Sequence, residues 1–393
     1  MRIGLVLNSV PNYSETFLIN KIRGLQENGH EVIVFAAGKN AILPCKLATP
    51  PPVIQSRLWQ AWLLVFYLKM LFLKAPKNAI RFFQLEHQSG TPWRQNLENM
   101  YLSSHILSKE LDWLHFGFGT AAIRKEHTAK AIGAKMAVSF RGSDAYVYPL
   151  SHPNCYQKMW RVVDKVHVIS KGLQTQLTRL GKPGSLDSEV IYPAVDLTKI
   201  PCKTEGRWFS KPEKQRLEIL TVARLHWIKG LDQTLKALSM LHAKGLTFSF
   251  TIIGAGAELE RLSYLTKQYS LNDKVVFKGR CSPEQTLSYY QNADLYIQYS
   301  LQEGFGNAVL EAQASGLPCI VSDADGLQEN IMDGETGWVV HRQHPEALAN
   351  KIEEVLSLPH DEVSRIVQNA RKRVESTFNI KIQQKAFEDF FTS

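Results

Sequence analysis

Short, wholly apolar runs alternate along this chain with longer stretches in which apolar residues recur at helical spacing. The apolar runs are Ile3–Leu7, Val32–Ala36, Ala137–Phe140, Val166–Ile169, Ile219–Val222, Phe250–Ile253, Val275–Phe277, Leu295–Ile297 and Cys319–Val321. Strands that are covered on both faces lose the polar alternation of a half-exposed sheet, so these runs predict parallel sheets flanked by helices. The fold class is therefore α/β.

The length of 393 residues suits two domains. Turn-forming residues and charges concentrate near residues 193–214, where Pro193, Pro201, Gly206 and Pro212 occur. We therefore predict two Rossmann-like, parallel-sheet domains over residues 1–195 and 214–375, joined by a linker over 196–213. The last segment, 376–393, has a helical pattern and is a candidate for crossing back onto the first domain.

One segment departs from the alternating pattern, because residues 58–74 are apolar nearly all round. The segment is shorter than the ~20 residues that usually span a bilayer, and it contains Lys69. Two interpretations stay open. It is either a buried helix of the first domain or a helix lying in a membrane interface, flanked by Lys74, Lys77 and Arg81.

The net charge of +9 is unevenly distributed, since residues 1–200 hold 24 Lys+Arg against 13 Asp+Glu. An anionic substrate or an anionic membrane surface would suit this basic half, with residues 58–81 as the membrane-contacting segment. The cations are dispersed and lack interleaved aromatic residues, so nucleic acid is not an expected partner.

Five scattered cysteines without C-x-x-C spacing argue against a disulfide framework and against structural zinc. Together with an N-terminus that resembles a first strand more than a signal peptide, they favour a cytoplasmic location. A peripheral position on the inner face of the membrane follows if residues 58–81 contact lipid.

The most informative chemistry lies between residues 300 and 318. Glu303 precedes a Gly304-Phe305-Gly306 loop, a helix is predicted from Asn307, and Glu311 follows within its opening turns. Free N–H groups at a helix start favour anionic ligands, and carboxylates accept hydrogen bonds from hydroxyls. The segment therefore predicts a site for a hydroxyl-rich, anionic ligand.

Two cations follow another predicted strand, Ile219–Val222. Arg224 and Lys229 lie in the turn before a helix that opens near Gly230. Ligands of open α/β sheets bind at the carboxyl ends of strands, where two cations would stabilise a diphosphate leaving group. Taken alone, both residues would be ordinary surface cations, and the nearby 303–311 segment favours the binding role.

Two further motifs are weaker. Gly254 and Gly256 follow a strand like the start of a dinucleotide fingerprint, but the third glycine is absent, so they fit a tight turn beside a nucleotide. Asp323 and Asp325 form a D-x-D pair that we interpret as loop structure. We expect no metal and no cofactor, because Arg224 and Lys229 already supply positive charge.

The second half of the chain resembles the retaining nucleotide-sugar glycosyltransferases of family 4, which have the two-domain GT-B fold. The residues that carry the resemblance are Arg224, Lys229-Gly230, Ile253-Gly254-Ala255-Gly256, Phe277-Lys278-Gly279, Glu303-Gly304-Phe305-Gly306, Glu311-Ala312, Gly316-Leu317-Pro318, Glu329 and Asp333-Gly334-Glu335-Thr336-Gly337. The resemblance implies two domains facing a cleft, with acceptor binding in the first and donor binding in the second.

The first half resembles the subgroup that builds bacterial exopolysaccharides, such as colanic acid, but less densely. The matching residues are Ser14-Glu15-Thr16-Phe17, Gly29-His30-Glu31-Val32, His115-Phe116-Gly117, Phe140-Arg141-Gly142-Ser143-Asp144, Ser170 and Tyr192-Pro193-Ala194-Val195-Asp196. Arg141, Trp113 and Asp325 depart from the family pattern, which usually has His, His and Gly there.

The resemblance implies a role for each motif. Glu311 would hold the ribose, Glu303 the sugar hydroxyls, and Arg224 with Lys229 the diphosphate. His115 would lie near the reacting sugar, with a core histidine as the alternative. Acceptor-side candidates are Ser14, Glu15, Thr16, Arg141 and Asp144, although Asp144 also suits a helix cap.

The implied activity is transfer of a hexose from a nucleoside diphosphate sugar to a glycan or polyprenyl-linked acceptor, with retention of anomeric configuration. Two alternatives share the donor pocket. One is a non-hydrolysing nucleotide-sugar epimerase of the same fold, and the other is a catalytically idle scaffold that binds sugar nucleotides.

Overall fold

A computed structural model describes residues 1–11, 16–38, 43–203 and 216–393, with only the backbone of Thr16. The chain divides into two compact units. The first contains Met1–Ile191 together with Gln384–Ser393, and the second contains Tyr192–Gln383. Of the predicted linker 196–213, residues 196–203 belong to the second unit, and residues 204–213 lie outside the described residues.

The first unit is built on a seven-stranded parallel sheet of order β3-β2-β1-β4-β5-β6-β7. Its strands are β1 (Arg2–Ser9), β2 (Glu31–Ala37), β3 (Lys46–Ala48), β4 (Trp113–Phe116), β5 (Lys135–Phe140), β6 (Lys165–Val168) and β7 (Ser188–Val190). Its helices are α1 (Thr16–Glu27), α2 (Arg57–Lys74), α3 (Pro76–Gln88), α4 (Trp93–Leu107), α5 (Gly119–Ala122), α6 (Thr128–Ile132), α7 (Tyr148–Ser151) and α8 (Lys171–Arg179).

The second unit is built on a six-stranded parallel sheet of order β10-β9-β8-β11-β12-β13. Its strands are β8 (Leu217–Val222), β9 (Phe248–Ile253), β10 (Val275–Gly279), β11 (Leu295–Gln298), β12 (Cys319–Ser322) and β13 (Trp338–Val340). The helices that follow are α9 (Leu231–Ala243), α10 (Leu259–Gln268), α11 (Pro283–Asn292), α12 (Asn307–Ala314), α13 (Leu327–Asn330), α14 (Pro345–Ser357), α15 (His360–Thr377) and α16 (Ile380–Thr392).

The predicted fold class, two Rossmann-like parallel-sheet units, is confirmed. All nine apolar runs form strands, and most are buried on both faces, as expected for sheets covered by helices. The exception is β10 at the edge of the second sheet, where Val276 is 39% exposed. The sequence pattern missed β3, β4, β7 and β13, which have three or four residues each. Three-residue runs, as in β3, β7 and β13, do not stand out from the apolar face of a helix. The four-residue β4 was missed although β6, β11 and β12, of the same length, were predicted.

Hydrophobic clusters cover both faces of the second sheet, and a third cluster fills the first unit. A smaller cluster lies beside the first sheet, where α2, α3, α4 and α6 meet. Its buried members are Leu71, Ala79, Phe82, Met100, Leu107 and Ala131. The three helices α2, α3 and α4 thus lie between β3 and β4 in the chain and share a small core with α6.

Candidate active site

The candidate site lies where the order of the second sheet reverses. Successive strands from β8 run outward through β9 and β10, whereas those from β11 run the other way through β12 and β13. Loops that leave β8 and β11 diverge at this point and open a crevice at the carboxyl edge of the sheet. Lys229 follows β8, Glu303 follows β11, and their side chains form an ion pair across the crevice.

Both partners of this pair are largely withdrawn from solvent, with side-chain exposures of 12% for Lys229 and 13% for Glu303. The hydroxyl of Ser300 donates a second hydrogen bond to Glu303, at 3.2 Å. A partly desolvated pair of this kind interacts more strongly than an exposed one and holds both side chains in defined positions. The structure therefore brings together two of the residues that the sequence selected for binding.

Close backbone packing between the two loops sets this geometry. Gly230 adopts φ +59°, and a Cβ at this position would lie 2.1 Å from the carbonyl oxygen of Tyr299. The N–H of Leu301 donates to the carbonyl of Ile228 at 2.7 Å. Only glycine allows such an approach, so the loop carrying Lys229 is fixed against the loop carrying Glu303.

Gly254 and Gly256 serve the same packing one strand further out. Gly254 has φ +142°, and a Cβ there would meet the carbonyl oxygen of Ala223 at 1.9 Å. A Cβ on Gly256 would lie 2.1 Å from the carbonyl oxygen of Leu225. Both glycines thus let the β9 loop lie against the β8 loop, on which Arg224 is exposed.

Glu311 lies on α12 and is partly buried. The hydroxyl of Tyr290 is 3.1 Å from Glu311 Oε2 and 3.1 Å from the carbonyl oxygen of Ala308. Burial raises the pKa of Glu311, and the hydrogen bond with Tyr290 opposes this shift. The phenol therefore orients the carboxyl group that the sequence assigned to a ribose.

The start of α12 is held by a side chain that the sequence did not single out. Asn330 Oδ1 accepts the N–H of Gly306 at 2.9 Å, and a Cβ on Gly306 would lie 2.7 Å from Leu327. Asn307, the first residue of the helix, is exposed. The opening turn of α12 therefore presents its N–H groups from a fixed position.

Phe305 belongs to the segment that the sequence predicted to contact the ligand, but its side chain is buried. Its side chain is 5% exposed, and its ring lies 5.6 Å from the ring centroids of both Tyr192 and Phe378. Only its backbone is left to contact a donor, because the ring packs into the core of the second unit. The aromatic residue thus anchors the loop between Gly304 and Gly306.

The D-x-D segment after β12 is loop structure in this unit. Asp323 accepts hydrogen bonds from His341 Nδ1 at 2.5 Å and from the N–H of Arg342 at 2.9 Å. Gly326, the next glycine, is required because a Cβ there would lie 2.3 Å from the carbonyl oxygen of Gly304. Asp325 stands where the family usually has a glycine, but Gly326, the glycine that this packing requires, is present.

In the first unit, His115 lies in the core. It is 0% exposed, its Nε2 is 2.6 Å from Ser139 Oγ, and both ring nitrogens lie 3.3 Å from Lys21 Nζ. Ser139 Oγ is in turn 2.8 Å from His167 Nδ1. The predicted contact of His115 with a reacting sugar does not fit this burial, and the alternative of a core histidine does.

Burial lowers the pKa of His115, and the nearby Lys21 lowers it further. The pKa values of Lys21 and His167 are also lowered, chiefly by burial. Side chains of α16 cover the cluster, since the Lys21 ammonium nitrogen lies 3.8 Å from the ring centroid of Phe387. Trp113, a departure from the family pattern, donates its indole N–H to the carbonyl of Phe391 at 3.1 Å.

The acceptor-side candidates are only partly described. Asp144 is 1% exposed and accepts the N–H groups of Thr120 and Arg141 at 3.2 and 3.1 Å. Burial raises the pKa of Asp144 although these hydrogen bonds oppose the shift. Asp144 thus links two chain segments, but it is not the N-cap residue that the alternative expected, because it lies within the turn Ser143–Val147, whose N-cap is Gly142. The Arg141 guanidinium carbon lies 3.7 Å from the ring centroid of Phe17.

Ser14 and Glu15 lie outside the described residues, as does the side chain of Thr16. Sequence reasoning missed Tyr290, Ser300 and Asn330. Each acts by supporting a predicted residue through a single hydrogen bond. Tyr290 and Asn330 are 21 and 24 residues away from the residues they support, so no local motif marks them. Ser300 is only three residues before Glu303, within the segment that the sequence singled out.

Comparison with known proteins adds to this geometry. Residues 203–373 match the family model for "Glycosyl transferases group 1". The chain is 26% identical to WcaL of Salmonella typhimurium, a proposed colanic acid biosynthesis glycosyltransferase, over 96% of each chain. It is 29% identical to the amylovoran biosynthesis glycosyltransferase AmsK of Erwinia amylovora, over 68% of this chain and 66% of AmsK.

Solved structures with the same fold include Anabaena Alr3699/HepE in complex with UDP and glucose. It aligns over 100% of both chains with a TM-score of 0.73 and 17% identity. TarM of S. aureus, solved with UDP and other ligands, aligns over 100% of both chains with a TM-score of 0.72 and 11% identity. The epimerase and scaffold alternatives are not favoured by these similarities, which support a glycosyltransferase with the two-domain GT-B fold.

Proposed function

We propose that this protein transfers a hexose from a nucleoside diphosphate sugar to a glycan or polyprenyl-linked acceptor, with retention of anomeric configuration. The observation that carries the proposal is the Lys229–Glu303 pair across the switch point of the second sheet. It joins a cation suited to diphosphate with a carboxylate suited to sugar hydroxyls. A cation and a hydroxyl acceptor at one crevice are what a nucleoside diphosphate sugar requires.

Each side chain has a proposed part in donor binding. Lys229 and the exposed Arg224 would bind the diphosphate and stabilise the negative charge that develops as the glycosidic bond breaks. N–H groups at the start of α12 would add to this stabilisation. Glu311, oriented by Tyr290, would accept from the ribose hydroxyls, and Glu303 would accept from the sugar.

The proposed retention follows from the roles of these groups. Glu303 is paired with Lys229 and Ser300, which suits a hydroxyl acceptor more than a free nucleophile. The acceptor hydroxyl would then attack on the face that the diphosphate leaves, with the departing phosphate taking the proton. Because Arg224 and Lys229 supply the positive charge, we expect turnover to persist after divalent cations are chelated.

The biological setting is proposed from the relatives. WcaL and AmsK are named for the biosynthesis of colanic acid and amylovoran. Their sequences match 96% and 68% of this chain. HepE and TarM are described in complexes that contain UDP. We therefore propose a uridine nucleotide donor and a role in surface polysaccharide synthesis.

Donor binding can be tested by thermal shift with UDP, GDP, ADP and their sugars. We expect UDP and its sugars to stabilise the protein more than the GDP and ADP series. Glu303→Gln should weaken binding of the sugar nucleotide more than binding of the free nucleotide. Loss of a hydrogen bond to a charged group costs about 1.5–3 kcal/mol, or roughly 10- to 150-fold in affinity. Glu353→Gln is the matched control, since it removes an exposed ion pair with Lys244.

Transfer itself is tested by following nucleotide release with and without acceptor. Release that requires acceptor supports a transferase, whereas release without acceptor would point to a hydrolase. Conversion of the donor into an isomeric nucleotide sugar, without net release of nucleotide, would point to an epimerase. Near-normal transfer by Glu303→Ala would contradict the site assignment. A product of inverted anomeric configuration would contradict retention while leaving the donor site intact.

A further inference from the structure

The helix α2 exposes an unusual amount of apolar surface for a docked helix. Its buried residue is Leu71, whereas Leu58, Trp59 and Val65 are 86%, 64% and 64% exposed. The other large apolar side chains exposed on α2 and α3 are Trp62, Phe66, Phe72, Leu73 and Ile80. Contiguous apolar surface of this kind marks an interaction site, and it excludes the alternative that residues 58–74 form a buried helix.

This surface is held in place from behind. Leu71 packs with Ala79 and Phe82 in the small helical cluster, and the ring of Tyr67 lies 5.6 Å from that of Tyr101 on α4. On the outer side, the aromatic rings contact one another. Trp62 stacks on Phe66 with centroids 5.4 Å apart, and Trp59 meets Trp62 edge-on at 6.2 Å. The exposed rings therefore form an ordered row on a fixed helix.

The charge around this row has one sign. From Val32 to Leu85 the sequence contains no Asp or Glu. The basic residues of α2 and α3 are all exposed, namely Arg57, Lys69, Lys74, Lys77 and Arg81. Within the part of the chain that the structure describes, no ion pair involves any of these five.

The helix lengths limit how this surface can meet a bilayer. Among the described residues, no single helix is long and apolar enough to cross a membrane. The pair α2–α3 meets the length and composition criteria only together, and it is bent by 118°. Two such helices suit the plane of the interface, where tryptophan rings lie at headgroup depth and lysines reach anionic headgroups.

We propose that the α2–α3 face docks on the surface of an anionic lipid bilayer. Apolar side chains would enter the boundary between headgroups and acyl chains, while the five cations contact lipid phosphates. A second copy of the chain fits less well, because it would oppose two acid-free, basic surfaces of the same sign. The proposal goes beyond the transferase function and does not depend on it.

Vesicle flotation of the full chain tests the proposal. We expect the protein to float with vesicles of phosphatidylglycerol and phosphatidylcholine, not with phosphatidylcholine alone, and to dissociate as salt is raised. Failure of the wild-type protein to float with anionic vesicles overturns the proposal. So does equal flotation with both vesicle types at all salt concentrations.

Two variants separate the apolar and ionic contributions. Lys69→Glu/Lys77→Glu/Arg81→Glu should weaken vesicle binding about 100-fold or more, since each lost cation costs roughly a factor of five. Leu58→Ser/Trp59→Ser/Val65→Ser should weaken it at least about tenfold. Matched controls in the second unit also change three exposed side chains each. They are Lys267→Glu/Lys372→Glu/Lys381→Glu and Leu259→Ser/Tyr264→Ser/Met332→Ser. Controls that weaken binding as much as the α2–α3 variants overturn the proposal.

A fluorescence measurement covers the case in which a multiple variant fails to fold. Wild-type protein should show a blue shift of tryptophan emission on adding anionic vesicles, and brominated lipids should quench that emission. Trp59→Phe/Trp62→Phe should lose most of both effects, whereas Trp227→Phe should retain them. Concentration-dependent self-association that the α2 variants abolish, in a protein without vesicle binding, would assign the face to a second copy and overturn the proposal.

Discussion

Glu311 and Tyr290 illustrate how single side chains set the chemistry of the candidate site. The carboxyl group lies on α12 and its orienting phenol on α11, so two helices define one ligand-binding position. Burial and the nearby carboxylate raise the pKa of Tyr290, which keeps the phenol a hydrogen-bond donor. Lys229 and Glu303 likewise orient each other, because their side chains form an ion pair in the crevice.

At this scale we expect Tyr290→Phe to weaken nucleoside diphosphate binding without unfolding the protein. The ring that fills the core is kept, and the hydroxyl's contacts with Glu311 and with the carbonyl oxygen of Ala308 are lost. Such a bond contributes about 0.5–1.5 kcal/mol, or roughly 2- to 12-fold in affinity. Calorimetric titration with the stabilising nucleotide measures the change, and Tyr289→Phe on the same helix is the control. An unchanged dissociation constant would remove Tyr290 from the site.

A second expectation concerns the glycine at the end of β9. Gly254→Ala would place a methyl group 1.9 Å from the carbonyl of Ala223, so the loop under Arg224 must shift. We expect a loss of at least about 2 kcal/mol in unfolding free energy, from the contact and the positive φ together. Gly245→Ala is the control, because its φ is +93° but nothing lies within 4 Å of a Cβ there. Urea denaturation with equal losses for both variants would contradict the steric argument.

At the scale of elements, α16 supplies aromatic residues to the core of the first unit. The helix begins in the second unit, and its residues from Gln384 onward belong to the first. Phe387, Phe390 and Phe391 are 4%, 0% and 2% exposed and pack among residues of β1, β2 and β4. Aromatic residues spaced by three and four positions share one helix face, so the amphipathic pattern of the segment is explained by this packing.

We expect Phe390→Ala to destabilise the protein by about 3–5 kcal/mol, the usual cost of truncating a buried aromatic residue. Ile382→Ala on the same helix is the control, since Ile382 is 42% exposed. Its cost should stay below about 1 kcal/mol. Thermal or urea unfolding measures both, and a small effect of Phe390→Ala would mean that α16 is not required for the core of the first unit.

At the scale of the whole molecule, the buried histidines couple stability to pH. Burial lowers the pKa of His105 to about 3, and the pKa values of His115 and His167 lie well below the ordinary 6.5. Above pH 6.5 these groups are neutral in both the native and the unfolded chain. Below it the unfolded chain binds protons that the native protein does not, so stability falls as pH drops from 6.5 toward the native pKa values.

His115→Gln should therefore reduce the acid sensitivity of the protein. Glutamine retains hydrogen-bonding capacity beside Ser139 but gains no proton. We expect the slope of unfolding free energy against pH, measured between pH 6.5 and 5, to fall by up to about 1.4 kcal/mol per pH unit. Urea unfolding across this range gives the slope, and identical slopes for variant and wild type would mean that His115 titrates normally in the folded state.

The sequence by itself determined the two parallel sheets, the acids and cations of the donor-side crevice, and the glycines at the strand ends. Periodicity and backbone sterics are local properties. A strand such as Ile219–Val222 and a tight turn at a residue such as Gly254 can therefore be predicted from the sequence. Lys229 and Glu303 were found for a similar reason. Residues just after buried parallel strands meet at one edge of the sheet.

Only the tertiary structure decided which of these side chains face inward and which face solvent. His115, Asp144 and Phe305 were candidates for ligand contact and lie buried, because distant elements such as α16 and Tyr192 pack against them. In α2 the opposite occurs, and apolar residues point to solvent. The sequence of a helix that is apolar all round does not show which face will be buried. Burial then depends on how many other elements pack against the helix, and that is decided by the fold of the whole chain.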